Sequence, residues 1–224
     1  MTDSLDVQAG LLSGSQEGEV AWSVLYRNRV EARRRLGDIW DLPVVKRYFD
    51  RIVANLSSHS RVLEVGAGSR GLAARLSGAF PQVVYRSMDI DRTNDHDYYD
   101  LATITERFDV IVLIEVIEHL GLSEGIDLLK RLKGFLDPGG TIILTTPNVL
   151  HPTRYWGDCT HKTFYRYDEI AGILAALGYR DVRVSRVYNA PFFQRWLRMF
   201  VGVYLHRYLD IDFAPTIVAE GRAG

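Results

Sequence analysis

Cysteine is almost absent from this chain: Cys159 is the only one. A lone thiol excludes an intramolecular disulfide and argues against a cysteine-rich zinc site. An excess of charge of one sign is lacking too. Lys and Arg total 27 against 28 Asp and Glu, a formal net charge of −1. The chain as a whole therefore has no built-in attraction to nucleic acid or membranes. No apolar run escapes interruption by charges for the length a transmembrane helix needs. The start, "MTDSLDVQAG", has no basic segment leading into an apolar core. No signal peptide is expected, and the expected location is cytoplasmic. Internal repeats and low-complexity tracts are also missing. What remains is a globular composition, 47% hydrophobic and 25% charged over 224 residues. That suits one sizeable domain, or one domain with a cap.

The chain divides near residue 58. Residues 1–57 read as an N-terminal tail (1–18) and a helical cap, with helices over 19–40 and 42–56. Pro43 stands where a helix start tolerates it. Residues 58–224 alternate apolar runs with amphipathic stretches. Strands are expected at 61–65, 82–89, 98–101 (weakly), 109–114, 141–147, 180–188 and 214–223. Helices are expected at 69–80, 121–136, 165–179 and 191–209. The "LDPGG" stretch (136–140) reads as a stop and turn. Such alternation implies an α/β, doubly wound, mostly parallel sheet with an antiparallel last strand. Ligands of that architecture bind at the carboxyl ends of the strands.

"LEVGAGSRG" (63–71) follows the first of these strands. Gly66, Gly68 and Gly71 satisfy G-x-G-x-x-G, the dinucleotide-binding spacing, but any tight strand–turn–helix selects small residues. Glu64 discriminates. A carboxylate beside this turn would repel a pyrophosphate, whereas it suits S-adenosylmethionine, which carries a sulfonium and an ammonium group and no phosphate. Asp89 closes the second strand, where an acid can accept hydrogens from both ribose hydroxyls.

With "LEVGAGSRG", "SMDID" (87–91), "FDVIVLIEVIEHL" (108–120) and "LKGFLDPGGTIILTTPN" (132–148) in that order, the chain resembles the class I S-adenosylmethionine-dependent methyltransferases over roughly residues 60–222. The resemblance implies a seven-stranded Rossmann-like sheet. It implies that Glu64, Gly66, Ala67 and Gly68 meet the cofactor's amino-acid part. Asp89, with Ile90 beside it, would hold the ribose, and Asp100 and Leu101 would lie against adenine. Glu115 would also touch the cofactor.

"EVIEHL" (115–120) sets Glu115, Glu118 and His119 at i, i+3 and i+4, one face of a helix if the chain turns helical there. The three side chains admit three roles: structural contacts, a general base at His119, or a divalent metal site for Mg²⁺, Mn²⁺ or Zn²⁺. A narrower resemblance bears on the third. The ubiquinone-biosynthesis O-methyltransferases are similar in the E-x-x-E-H and in a later T-H, here Thr160 and His161. The small-RNA 2′-O-methyltransferases hold a divalent ion with two Glu and two His. Carried over, the metal ligands would be Glu115, Glu118, His119 and His161, with His119 or His161 taking the acceptor's proton. His151 is a rival fourth ligand.

The expected reaction is O-methylation of a hydroxyl on a small molecule, sugar or glycolipid, since the short segment between the second and third strands also resembles enzymes acting on cell-surface sugars. Two alternatives stand beside it. One is a catalytically silent S-adenosylmethionine-binding partner subunit. The other is an RNA ribose 2′-O-methyltransferase, less favoured because no basic stripe with interleaved aromatics is evident. In 191–209 the spacing of Phe192, Trp196, Met199 and Phe200 predicts a buried face. Its expected cover is the domain itself, a homodimer partner or a membrane surface.

Overall fold

A computed structural model describes residues 22–224. The tail expected at 1–18 lies outside the described residues. Seven strands form one sheet: β1 (Val44–Val45), β2 (Arg61–Val65), β3 (Val84–Met88), β4 (Phe108–Ile114), β5 (Leu136–Pro147), β6 (Arg180–Val187) and β7 (Thr216–Arg222). Their order is β1-β6-β7-β5-β4-β2-β3. All neighbours are parallel except β7, which is antiparallel to both β5 and β6. The helices are α1 (Trp22–Leu36), α2 (Tyr48–Val53), α3 (Gly71–Ala79), α4 (Leu122–Gly134), α5 (Tyr167–Ala176), α6 (Phe192–Trp196) and α7 (Gly202–Tyr208).

The apolar runs are continuous because both faces of the sheet are covered. Strand side chains alternate, so neighbouring residues go to opposite cores. Leu63 and Val65 of β2, Ile111 and Leu113 of β4, and Ile142 and Leu144 of β5 enter the larger core, with α4 and α5. Val62, Val110, Val112 and Ile143 enter the other, with Ile52 of α2 and Leu72 and Leu76 of α3. Burying each such aliphatic side chain contributes about 1.5–3 kcal/mol.

Two expectations about strands need correction. Residues 98–101 form no strand: Tyr98 makes a single bridge to Met88, and Leu101–Thr103 is a 3-10 turn. The segment after β3 is too short to carry a crossover helix, so it runs beside β3 rather than extending the sheet. The seventh strand comes instead from Val44–Val45, inside the stretch read as a helix over 42–56. There the Pro43 carbonyl accepts from the Arg186 N–H at 2.8 Å, and the Tyr188 N–H donates to the Val45 carbonyl at 2.9 Å. The sequence 136–140 opens β5 and takes up a register irregularity against β4.

Residues 22–57 are tied to the same body. Helix α1 lies on α5, and a Cβ at Gly172 would stand 2.8 Å from the Asn28 carbonyl. Arg29 pairs with Glu169 at 3.3 Å across that contact. The expected helix at 191–209 is two helices joined by a π turn, Leu197–Val201. It buries less than its spacing predicts. Phe192 and Phe200 are exposed, and only Met199 packs inward, against Tyr188, Phe213 and Ala214.

This connectivity places the site. From β2 the chain moves outward to β3, then returns to the other side of β2 to form β4. The loops leaving β2 and β4 therefore diverge from adjacent strands, the crevice in which open α/β sheets bind ligands.

Candidate functional site

Gly66 follows β2 with φ +72°, and a Cβ there would stand 2.5 Å from Val116 Cγ2 in the loop after β4. The two loops thus touch, and only glycine fits at both the backbone angle and the gap. Gly68 also has positive φ, +46°, with open space around it, leaving its backbone free to be approached by a ligand. Its N–H donates to Asp89 Oδ2 at 2.8 Å, and the Asp91 N–H donates to Oδ1 at 2.9 Å. Asp89 is thereby fixed, with lone pairs still free to accept. Ala67 is buried, and Ile90 is exposed next to Asp89.

Glu64 is 4% exposed. The Tyr85 hydroxyl donates to its Oε2 at 2.5 Å. Burial pushes this carboxyl up to about 7, against the pull of the Tyr85 hydrogen bond and Arg70, with Asp89 adding to the rise. A group so placed has much to gain from a cationic ligand. Asp100 caps the following 3-10 turn by accepting from the Ala102 N–H at 2.9 Å. Leu101 is buried in the larger core. This pair stands beside the end of β3, because the Asp89 N–H donates to the Tyr98 carbonyl at 3.1 Å.

Beyond β4 the local structure differs from the expected helix. Glu115 takes φ +53°, a left-handed conformation that costs a non-glycine residue roughly 1–2 kcal/mol. Its N–H is held by Thr145, at 3.1 Å to the hydroxyl and 3.3 Å to the carbonyl. A single 3-10 turn, Ile117–His119, follows. Glu115, Glu118 and His119 consequently do not share a helical face. Glu115 swings to Arg154, Nη2 to Oε2 3.0 Å, and its Oε1 is buried with no partner. Glu118 turns inward and is 0% exposed.

Three of the four expected ligands come together, His161 among them, and Glu115 stands apart. Glu118, His119 and His161 each offer one ligand atom, and these lie within 4.8 Å of one another. Glu115 is not part of this group. Backbone bonds hold the arrangement together: the Lys162 and Thr163 N–H groups donate to the Glu118 carbonyl, at 2.8 and 3.1 Å. The Thr163 hydroxyl donates to the Leu120 carbonyl at 2.7 Å. The rings of His119 and His161 are 4.9 Å apart.

The hydrogen bonds fix both tautomers. His161 Nδ1 lies 2.7 Å from the Tyr155 carbonyl, which can only accept, so Nδ1 carries the hydrogen. The Thr160 hydroxyl donates to Asp158 Oδ1 at 2.7 Å. Its oxygen, 2.9 Å from His119 Nδ1, must then accept from that ring. Each neutral imidazole is left with its lone pair on Nε2. Holding the far nitrogen in this way is the usual means of orienting a metal-binding histidine.

Neither carboxylate oxygen of Glu118 makes a well-formed hydrogen bond among the described residues. Burial pushes its carboxyl up to about 8, its own backbone N–H and the nearby Thr146 hydroxyl oppose the rise, and Glu115 adds to it. Burial likewise raises Glu115, with Arg154 opposing. Two adjacent acids in this state favour a bound cation or a retained proton. Beside them is a cavity of about 390 Å³ lined by Glu115, His119, His151, Arg154 and His161. His151 faces this cavity and is not one of the three grouped residues. Arg154, Asp158 and Thr160 were invisible to the sequence reading as site residues. Only the T-H pair hinted at Thr160.

A family model described as a methyltransferase domain matches residues 34–184. No curated protein matches the chain. Among solved structures the chain is similar to a SAM-dependent methyltransferase from Archaeoglobus fulgidus, with TM-score 0.63 and 16% identity over 90% of this chain and 100% of that one. It is similar to an O-methyltransferase family protein from Burkholderia thailandensis, with TM-score 0.55 and 13% identity over 79% of this chain and 55% of that one. A third is phosphoethanolamine N-methyltransferase 2 from Haemonchus contortus in complex with S-adenosyl-L-methionine, with TM-score 0.50 and 14% identity over 88% of this chain and 52% of that one. At these identities the likeness is one of fold.

Proposed function

We propose, because the chain belongs to the methyltransferase domain family and has the class I fold of the S-adenosylmethionine-dependent enzymes, that it methylates a hydroxyl group seated in the cavity beside Glu115, with a divalent ion held by Glu118, His119 and His161. The observation that carries this reading is Glu118: a fully buried carboxyl with both oxygens unpartnered, facing two imidazoles whose hydrogen bonds leave Nε2 free. The donor set of one carboxylate and two imidazoles fits Zn²⁺ or Mn²⁺.

Methyl transfer to oxygen is an in-line displacement at carbon. The O–C bond forms as the C–S bond breaks, and the hydroxyl proton must leave. The loops after β2 and β4 set the two reactants end to end, and positioning supplies much of the rate. Gly66 and Gly68 let the donor's amino-acid part approach the backbone. Glu64 sets a negative charge beside its ammonium, and Asp89 accepts from its ribose. Glu118, His119 and His161 would hold a divalent ion, which would supply Lewis-acid activation of the acceptor hydroxyl. With the two imidazoles so engaged, the hydroxyl proton would go to Glu115. Its Oε1 is unpartnered, and burial makes it a stronger base than a solvated carboxylate.

The acceptor class is a sugar, glycolipid or aromatic-metabolite hydroxyl. The cavity's mixture of His, Arg and Glu suits a polyhydroxylated partner. The test is transfer of labelled methyl from S-adenosylmethionine to sugar, glycolipid and phenol panels, with and without EDTA. Labelled ether product that disappears in EDTA and returns with added Mn²⁺ or Zn²⁺ supports the reading. Transfer only to nitrogen acceptors, or full transfer in EDTA, overturns it.

A further inference from the structure

The segment between β6 and β7 carries a row of aromatics at every fourth position: Phe192, Trp196, Phe200, Tyr204 and Tyr208. All five are exposed, Phe192 and Tyr208 to 85%. In an unbroken α-helix, which turns about 100° per residue, such a row would drift about 40° around the axis with each step. The π turn at Leu197–Val201 is wider and turns less per residue, so it offsets part of that drift in the middle of the row. The row thus keeps to one side over α6, the π turn and α7. A contiguous apolar surface of this kind marks an interaction site.

Charge identifies what it meets. Residues 191–209 contain Arg195, Arg198 and Arg207, and no Asp or Glu; burial lowers the pKa of His206, so it adds no dependable charge. Arg207 is offset by Asp41 at 3.3 Å, whereas Arg195 donates to the Val44 carbonyl at 3.4 Å and the Arg198 guanidinium lies over the Tyr188 ring, so these two keep a charge that no carboxylate offsets among the described residues. Aromatic side chains flanked by arginines are the composition of a segment lying in a lipid headgroup region. A second copy fits less well. A two-fold axis through the row would set these arginines against their own copies, with no acid in the segment to offset them. The segment lies on a bilayer rather than through it, since no helix among the described residues is long and apolar enough to cross a membrane.

We infer that the aromatic row from Phe192 to Tyr208 docks the protein on an anionic lipid surface. Its position gives the docking a consequence. Strand β6 runs parallel to β5, so the helices after β6 stand at the carboxyl end of the sheet, the same end as the cavity. Arg198 is close enough to His151, in the cavity wall, to add to the lowering of its pKa that burial begins and Asp212 opposes. A docked molecule holds the cavity near the headgroups, within reach of an acceptor anchored in the membrane. The docking itself does not depend on the identity of the acceptor.

The test is flotation of the full chain with vesicles of phosphatidylcholine alone or with 30% phosphatidylglycerol, together with light scattering. The chain should float with the anionic vesicles and at least fivefold less with the neutral ones. Combined Phe192→Ser, Phe200→Ser and Tyr204→Ser changes should lower the bound fraction at least tenfold, with S-adenosylmethionine affinity unchanged as a check on folding. Phe192→Ser alone serves if the combined variant does not fold, and should lower binding at least threefold. Absence of flotation with anionic vesicles, equal flotation with both compositions, or unchanged binding of the variants overturns the inference. A dimer that the same variants dissociate, without flotation, assigns the row to a second copy and overturns it too.

Discussion

At the scale of single residues, the site works through what its side chains are denied. Glu118 is denied both water and a partner, and His119 and His161 are denied a choice of tautomer. Thr160 is the least conspicuous member, since its hydroxyl relays Asp158 to His119. Thr160→Val removes that relay without touching a ligand. It should lower divalent-ion affinity about 10–100-fold, the usual effect of losing an orienting partner, and a calorimetric titration with Mn²⁺ or Zn²⁺ reads it directly. Glu115→Gln should leave ion affinity near wild type while lowering kcat by about 10²–10⁴. Unchanged kcat would return Glu115 to its ion pair with Arg154. Glu64 predicts a pH effect whose sign follows from its raised pKa. The folded chain holds this proton up to about pH 7, while the unfolded carboxyl loses it near the ordinary glutamate value of 4.5. Between those values the folded state binds more protons, so ligand-free stability falls as pH rises. The loss is about 3 kcal/mol at about 1.4 kcal/mol per pKa unit. Urea unfolding at pH 5 and pH 7.5 should show it in the wild type and show less of it in Glu64→Gln.

At the scale of elements, the two glycines of the β2 loop should behave differently. Gly66→Ala meets both a positive φ and Val116, and should cost about 2–4 kcal/mol. Gly68→Ala meets only the backbone penalty, about 1–2 kcal/mol. Equal losses in urea unfolding would contradict the contact between the loops after β2 and β4. The elements around them were legible where burial on both faces writes a continuous apolar run: β2, β4, β5 and β7 stand where their Val, Ile and Leu residues predict. Val44–Val45 was not legible, because a two-residue strand has no pattern of its own and its neighbours carry helical spacing. The weak strand at 98–101 was over-read for a related reason: four residues can pair once without joining a sheet. Of the proposed site, the glycine loop, Asp89, Glu118, His119 and His161 carry a signal in spacing and resemblance. The left-handed backbone of Glu115 carries none, because nothing in a glutamate's chemistry announces a positive φ. The single 3-10 turn that separates it from Glu118 follows from that backbone reversal.

At the scale of the whole molecule, one topological feature organises the rest. The chain reverses direction of travel between β3 and β4, and the two loops at that crevice meet at Gly66 and Val116, which would bring the proposed donor and acceptor sides together. The core must hold that crevice rigid. Leu113, fully buried in β4 just before Glu115, is its support. Leu113→Ala should cost about 2–5 kcal/mol, seen as a lower urea midpoint. The loop 151–163 closes the proposed acceptor side by hanging on the Glu118 carbonyl, so the proposed ion ligands come from two distant parts of the chain. The account stands or falls on whether they hold a metal. The most direct measurement is equilibrium dialysis of the purified chain against Mn²⁺ or Zn²⁺ with S-adenosylhomocysteine present, beside Glu118→Gln and His161→Ala. The account predicts one ion per chain, lost or weakened at least tenfold in both variants while S-adenosylhomocysteine binding stays within twofold. No bound ion in the wild type, or equal binding in all three proteins, would contradict it.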